Sequence, residues 1–158
     1  MQILAKSPDR ADALAEAFTA TEYVVETSGA EIRIRIGQTT PALDSLLQDR
    51  PWAVITAYNP DGVRRPAVDN TAAQSALEQC LHLLRPARLL KVCNRDPAGN
   101  WPEEPAWLFT PDHIRQADRL ARRFDQRAVV AGHPGGPATL RMYADAHADR
   151  VNIPTVIS

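Results

Sequence analysis

The pattern of hydrophobic and polar positions divides the chain into helices and strands of ordinary length. Residues 52–58 form a nearly continuous apolar run that ends abruptly in Asn59-Pro60, which is typical of a strand covered on both faces at the centre of a sheet. Residues 31–36 alternate strictly, which predicts an edge or antiparallel strand with isoleucines facing the core and arginines facing solvent. Shorter strands are predicted over residues 23–25, 89–93, 106–109, 128–131 and 139–142.

Three predicted helices begin at a hydroxyl residue followed by proline. The hydroxyl accepts a backbone N–H that has no partner inside the helix, and the proline has no N–H to leave unpaired. These dipeptides are Ser7-Pro8, Thr40-Pro41 and Thr110-Pro111. A fourth helix is predicted to begin near Asp69 as its N-cap, to carry an apolar face that includes Leu77 and Leu81, and to end before Pro86.

This order of elements predicts an α/β protein of the α+β type. Paired strands alternate with helices, so we expect a mixed central sheet, a single layer thick, with about four helices packed on it. The length of 158 residues predicts one domain over residues 1–158. Residues 144–158 are predicted to form a flexible tail, polar over residues 144–150, whose residues 151–158 are either frayed or docked on this domain.

Composition and charge narrow the classes of partner. Apolar residues make up 44% and charged residues 23% of the chain, as in ordinary soluble globular proteins. The net charge of −1 disfavours bulk attraction to nucleic acid or to a membrane surface. No apolar run approaches the roughly 20 residues that span a bilayer, and no secretory signal is recognisable. Cys80 and Cys93 are therefore expected to be reduced thiols in a cytoplasmic protein.

Four polar residues lie where predicted core elements begin or end. Asn59 ends the central strand, Asn70 lies in the first turn of the next helix, Glu104 begins another strand, and Gln126 precedes the last core strand. Amides and a carboxylate offer donors and acceptors in fixed directions, so they suit a planar polar ligand at one rim of the sheet. Trp101 adds a ring that either stacks on such a ligand or belongs to the core.

An ordinary structural role is the alternative for the same amides. Asn59 and Asn70 are of a residue type that satisfies turns and helix caps throughout proteins. Adjacent glutamates at 103 and 104 point in opposite directions along an extended segment, so they do not form a general acid/base pair. Both interpretations of the amides stay open at this point.

Several segments resemble the landmarks of an uncharacterised bacterial family, the domain of unknown function DUF3293. The similarity runs from about residue 52 to residue 130, and its pieces occur in the family's order. The segments are Trp52–Pro60, Asn70, Asn100–Pro105 and Phe124–Ala128. The resemblance implies matching positions at Thr56, Ala57, Asn59, Pro60, Asn70, Trp101, Glu104 and Gln126.

The chain departs from the family pattern at Asp125 and Arg127, where a small residue and an amide are expected. This departure weakens the implication of a shared ligand contact at Gln126. The resemblance implies a common fold, but the family supplies no activity.

Other sequence patterns give no metal, cofactor or nucleophile. The four histidines are scattered without metal-ligand spacing. No phosphate-binding glycine motif or serine-hydrolase motif occurs, and the glycine-rich residues 132–136 are predicted to form a hairpin loop. We therefore expect neither a metal nor a cofactor.

Arg115, Arg119 and Arg122 fall at helical spacing and form one stripe. Such a stripe meets phosphates or an acidic protein face, or it is simply a solvated helix face. Aspartates are interspersed at positions 112, 118 and 125, which favours the solvated face. Binding to nucleic acid is therefore not expected.

Two functions remain. The favoured one is a small cytoplasmic binding or interaction module that recognises a partner protein or a polar small ligand without chemistry. The alternative is an enzyme acting on a nucleotide-like or other polar small molecule, with Glu104 as general acid/base and with Asn59, Asn70 and Gln126 orienting the substrate. Burial of Glu104 separates them: a half-buried Glu104 in a concave pocket favours the enzyme, and an exposed one favours the module.

Overall fold

The computed structural model describes residues 8–144, in which four α-helices pack on a curled sheet of seven strands. The expected α+β class, with about four helices on one central sheet, is confirmed. The helices are α1 (Pro8–Ala20), α2 (Pro41–Leu46), α3 (Ala67–Leu83) and α4 (Arg115–Arg123). The strands are β1 (Glu22–Val25), β2 (Ile32–Ile34), β3 (Trp52–Ile55), β4 (Leu89–Arg95), β5 (Glu104–Phe109), β6 (Ala128–Gly132) and β7 (Thr139–Met142).

The strands lie in the order β2-β1-β4-β5-β3-β6-β7. Every ladder between these strands is antiparallel, whereas a mixed sheet was expected, because each strand here pairs with neighbours that run the opposite way; the parallel pairing among the described residues is an isolated bridge between Ile36 and Ala138. The strand predicted to be central, β3, lies between β5 and β6, and all four of its residues are buried. It ends at Ile55, three residues before the end that the apolar run predicts. Beyond Ile55 the backbone groups bond to side chains: the hydroxyl of Thr56 donates to the carbonyl oxygen of Pro105 at 2.8 Å, and the N–H of Ala57 donates to Oε1 of Gln74 at 2.9 Å.

The sheet curls until its two edges meet. A parallel bridge joins Ile36, just beyond β2, to Ala138, just before β7. The backbone N–H of Gly37 donates to Ala138 at 2.8 Å, and the N–H of Ala138 donates to Gln38 at 3.0 Å. Gly37 has φ of +87°, a conformation that glycine adopts without steric cost. The meeting of the edges pairs backbone groups that open edge strands leave exposed.

Both faces of the sheet are covered, and successive β3 residues serve the two faces in turn. On the inner face of the curl, Trp52 and Val54 pack with Leu43 and Leu47 of the α2 region and with Phe18 of α1. The outer face carries α3 and α4, whose buried side chains pack against β3, β5 and β6. The buried members of this outer cluster are Ala53, Ile55, Ala57, Leu77, Leu81, Phe109, Ala117, Leu120, Ala121 and Val129.

One predicted helix start is wrong. Thr110-Pro111 does not begin a helix, because α4 begins at Arg115. The hydroxyl of Thr110 instead accepts the backbone N–H of Arg88 at 3.0 Å, which ties the end of β5 to the entry of β4. The residues between Pro111 and α4 form bends and a turn. A threonine-proline pair is thus found at the end of a strand as well as at the start of a helix.

The other helix starts differ in their caps. The predicted start at Thr40 is in the right place, but its side chain makes no cap hydrogen bond, and its carbonyl oxygen accepts the N–H groups of Leu43 and Asp44 instead. Helix α3 begins two residues before Asp69, with Pro66 in the cap position, so Asp69 lies in the first turn. An aspartate there still stabilises the helix dipole.

Some sequence predictions fall on residues that the structure does not describe. These are the cap at Ser7 and the tail over residues 144–158, of which only residue 144 is described. Within residues 8–144, none of the helices combines the length and the apolar character that a membrane crossing requires.

The packing of α3 on the outer face gives a direct test of the fold. Leu77 is fully buried, so Leu77→Ala is expected to lower the free energy of unfolding by about 2–5 kcal/mol through lost contacts and a residual cavity. Leu83 on the same helix is 82% exposed, and Leu83→Ala is expected to change stability by less than about 0.5 kcal/mol. Urea denaturation of both variants measures the difference. Equal losses would contradict the assigned helix face.

Candidate functional site

A cleft of about 410 Å³ opens at one end of the inner sheet face, and we call it the Glu104 cleft. Side chains from β1, β4 and β5 line it, together with Leu14, Ala17 and Phe18 of α1. The segments that follow β3 and precede β5 complete its walls. The cleft is therefore built where the apolar core of the inner face gives way to polar side chains.

Three neighbouring strands contribute a row of polar side chains to the cleft. Tyr23 of β1 lies opposite Asn94 of β4, and Asn94 lies opposite Glu104 of β5. Side chains opposite one another on an antiparallel pair share a face, with Cβ atoms roughly 5 Å apart. The antiparallel register thus brings a phenol, an amide and a carboxyl together.

Asn59 holds the carboxyl of Glu104 from the other side. The amide Nδ2 of Asn59 donates to Oε1 of Glu104 at 2.7 Å. Asn59 has φ of 46° and ψ of 62°, a left-handed conformation that asparagine tolerates better than most residues. This turn after β3 directs the side chain back toward β5.

Asn70 lies behind Asn59 and fixes it. The side-chain Oδ1 of Asn70 accepts the backbone N–H of Asn59 at 2.9 Å, and Nδ2 of Asn70 donates to Oδ1 of Asn59 at 2.8 Å. Oδ1 of Asn59 also accepts the backbone N–H of Arg65 at 3.0 Å. Asn70 is buried and does not line the cleft. Asn59 therefore positions Glu104 directly, and Asn70 does so through Asn59. The hydrogen bonds of Asn70 are those of a residue that satisfies a turn, which is the alternative interpretation of this amide.

Gln126 lines the same cleft but also serves the backbone. Its Nε2 donates to the carbonyl oxygen of Tyr58 at 3.1 Å and, more weakly, to that of Phe124 at 3.4 Å. The N–H of Asp61 donates to the carbonyl oxygen of Asp125 at 2.8 Å. The two loops that carry Asn59 and Gln126 are thus tied to each other.

Trp101 stands at the mouth of the cleft. It lines the cleft and remains 52% exposed, so it is not a core residue. The loop before it is ordered by Asp96, whose carboxylate accepts the backbone N–H groups of Ala98 at 3.0 Å and Asn100 at 2.7 Å. An exposed aromatic ring on an ordered loop is suited to stacking on a ligand.

The carboxyl of Glu104 has a perturbed pKa. Burial raises it above the ordinary value for glutamate, because desolvation disfavours the ionised form, and the hydrogen bond from Asn59 lowers it by a smaller amount. Glu104 is half-buried, so it combines contact with the cleft and partial exclusion of water. A carboxyl of this kind exchanges protons closer to neutral pH than an exposed glutamate does.

Sequence reasoning missed several residues of the cleft. Tyr23, Asn94, Arg64 and Arg95 all line it. The signal for Asn94 and Arg95 was available, because they end an apolar strand run just as Asn59 does. Oδ1 of Asn94 and Nε of Arg95 are buried and have no hydrogen-bond partner within residues 8–144. An unpaired buried polar atom costs roughly 1–3 kcal/mol, so a bound molecule that pairs with them gains affinity.

The arginine stripe lies elsewhere. Arg115, Arg119 and Arg122 are exposed on α4, which packs on the outer face of the sheet, and none of them lines the cleft. Asp118 on the same helix turns inward and binds Arg141 of β7 through two hydrogen bonds of 2.6 and 2.8 Å. These bonds lower the pKa of Asp118 and fix β7 against α4. The stripe is thus a solvent-facing surface that is separate from the site.

Comparison with known proteins gives one family. Residues 55–129 match the model of a family described as "Protein of unknown function (DUF3293)". The resemblance seen in the sequence is confirmed over these residues, which include Asn59, Asn70, Trp101, Glu104 and Gln126. No curated protein and no solved structure matches the chain.

The raised pKa of Glu104 predicts a pH dependence of stability. The folded state holds this proton more tightly than the unfolded state, so the contribution of Glu104 is fully present below the ordinary glutamate pKa and is lost as the pH rises through the folded pKa. Glu104→Gln is expected to remove this decline in the free energy of unfolding with rising pH. Urea denaturation between about pH 4 and pH 8 measures it, with Glu103→Gln as the control for loss of a negative charge. Parallel stability profiles of wild type and Glu104→Gln would contradict the assignment.

The position of the arginine stripe leads to a second prediction. We expect no specific binding of nucleic acid, because acids are interspersed with the arginines and no aromatic side chain shares that helical face. The measurement is a salt titration with single- and double-stranded oligonucleotides. Tight binding at physiological salt that is abolished by the double variant Arg115→Glu, Arg119→Glu would overturn this expectation.

Proposed function

We propose that the chain binds a small polar molecule in the Glu104 cleft, with Glu104 as the principal polar contact. The observation that carries this proposal is a half-buried carboxyl held in one orientation, 2.7 Å from Asn59, in a concave site. The cleft volume of about 410 Å³ is in the range of small-molecule sites. Partial exclusion of water strengthens a hydrogen bond between Glu104 and a ligand.

Catalysis is a second candidate function. It is favoured by the raised pKa of Glu104 and by the half-buried position of this residue in a concave cleft, which is the arrangement that the sequence analysis expects of an enzyme. A general acid or base works best when its pKa lies near the working pH, and burial moves glutamate in that direction. In this version Glu104 transfers a proton to or from a nucleotide-like or other polar small molecule. Asn59 and Asn70 then act as positioning residues for Glu104, because their amide groups bind each other and the carboxyl.

The shape of the site supports a small ligand over a partner protein. Protein partners are recognised mainly by broad surfaces, whereas small molecules are recognised in concave clefts with a few convergent polar groups. We include in the proposal that the protein works in the bacterial cytoplasm. The free thiols of Cys80 and Cys93 agree with a reducing compartment.

Ligand binding is tested with the native protein. We expect a small molecule to co-purify from the native host and to be identified by mass spectrometry after denaturation. When added back, it is expected to shift the NMR signals of Glu104, Asn94 and Trp101. Glu104→Gln is expected to weaken its binding about tenfold or more, because hydrogen bonds to a charged acceptor are the strong ones.

Glu31→Gln is the matched control, since Glu31 is exposed and does not line the cleft. This control is expected to bind with wild-type affinity. Equal binding by Glu104→Gln and wild type, or NMR shifts confined to the outer face of the sheet, would remove support for the cleft as the binding site.

The acid/base role is tested at Asn59. Asn59→Asp keeps a residue that tolerates the left-handed backbone, but it replaces the donor to Glu104 with an anionic oxygen. Loss of the donor and repulsion between like charges both raise the pKa of Glu104 further. Titration of the Glu104 carboxyl by NMR is expected to move to higher pH in this variant. An unchanged titration would show that Asn59 does not control the proton of Glu104.

A further inference from the structure

The charges that line the Glu104 cleft select a class of ligand. Among the residues that the structure describes, its lining includes the three arginines Arg64, Arg95 and Arg127 and the two acids Asp96 and Glu104. Asp96 is occupied by two backbone N–H groups of its own loop. Arg127 lies 3.8 Å from a carboxylate oxygen of Asp61, so the cations of this lining that remain to be considered for a ligand are Arg64 and Arg95.

Two of these arginines are available to an anion. Arg64 is exposed, lines the cleft and forms no ion pair within residues 8–144. Nε of Arg95 is buried and has no hydrogen-bond partner within residues 8–144, and it forms only a long ion pair of 3.9 Å with Glu103 in this part of the chain. Guanidinium groups bind phosphate and carboxylate through paired N–H donors. These two side chains therefore supply a recognition element for an anionic group.

The row of polar side chains on β1, β4 and β5 offers hydrogen-bond acceptors instead of cations. Oδ1 of Asn94 is a buried acceptor with no partner in the described part of the chain, and it lies opposite Glu104 across β4 and β5. Among the described residues, Glu104 accepts one hydrogen bond, from Asn59 at Oε1. Two neighbouring acceptors suit a ligand edge that carries N–H donors.

Aromatic side chains form a third part of the cleft lining. Trp101 is half-exposed on the segment before β5, and Tyr58 is partly buried on the segment after β3. Both line the cleft. Flat rings at a cleft mouth favour a planar ligand, because the face of one ring stacks on the face of another.

From these features we propose that the ligand is a nucleoside monophosphate, or a compound with the same chemistry. A planar nitrogen ring presents N–H donors to Asn94 and Glu104, and its phosphate meets Arg64 and Arg95. This inference rests on the proposed function of the cleft and deepens it. It assigns the ring to Asn94 and Glu104 and the anion to Arg64 and Arg95.

The test is a calorimetric titration of the full chain with a panel of defined compounds. The panel holds nucleoside 5′-monophosphates, the matching nucleosides, inorganic phosphate and an aromatic amino acid. We expect at least one nucleotide to bind about tenfold or more tightly than its nucleoside, which corresponds to one good charged contact. Inorganic phosphate alone is expected to bind weakly, because it lacks the ring.

Variants separate the two ends of the ligand. Arg64→Gln and Arg95→Gln are expected to reduce the advantage of the nucleotide over the nucleoside while leaving nucleoside affinity unchanged. Asn94→Leu is expected to weaken both compounds equally. Arg119→Gln is the matched control, because it removes the same charge from the exposed outer helix. A normal far-ultraviolet spectrum and thermal melt for each variant exclude misfolding.

The outcomes distinguish this inference from the proposed function. Equal affinity for nucleotide and nucleoside, or preference for the amino acid, overturns the nucleotide inference and leaves the cleft as a ligand site. The same conclusion follows if the co-purified molecule has no ring or no anionic group. If no panel compound binds and nothing co-purifies, the proposed function itself fails.

Discussion

The site depends on one residue, Asn59, which meets three demands at once. It adopts a left-handed backbone, it donates to Glu104 at 2.7 Å, and it accepts the N–H groups of Arg65 and Asn70. Glycine tolerates the backbone but offers no side chain, and aspartate accepts but does not donate. Because each partner of Asn59 comes from a different segment, one side chain fixes the exit of β3, the start of α3 and the start of β5 relative to one another.

The curl of the sheet explains why Glu104 is both desolvated and accessible. The edges meet at Ile36 and Ala138, so the inner face is enclosed by its own strands as well as by α1 and the α2 region. Apolar side chains fill most of that space. At the end where Glu104 enters, the strands carry polar residues and α1 supplies one wall. A flat sheet would leave this carboxyl in solvent, and a fully closed core would leave no cleft.

Sequence patterns predicted the structural features that depend on residues close together along the chain. The apolar run of β3 and the face of α3 with Leu77 follow from local periodicity, and so does the turn at Asn59. The contact between Asn59 and Glu104 needs β3 to pair with β5, and the row from Tyr23 to Glu104 needs β1 next to β4. These pairings join distant segments, which no local pattern specifies. Thr110-Pro111 misled because its hydroxyl binds Arg88, again a distant residue.

The carboxyl at position 104 is not required by the fold. A glutamine there has a carbonyl oxygen that accepts the same hydrogen bond from Asn59, and it avoids the desolvation that raises the pKa of the glutamate. The neighbouring Asn94 shows that an amide fits this row of the sheet. Stability alone thus favours an amide at the floor of the cleft. What glutamate adds is a carboxyl that releases and takes up a proton, and whose charge depends on the ligand that binds beside the arginines of the cleft.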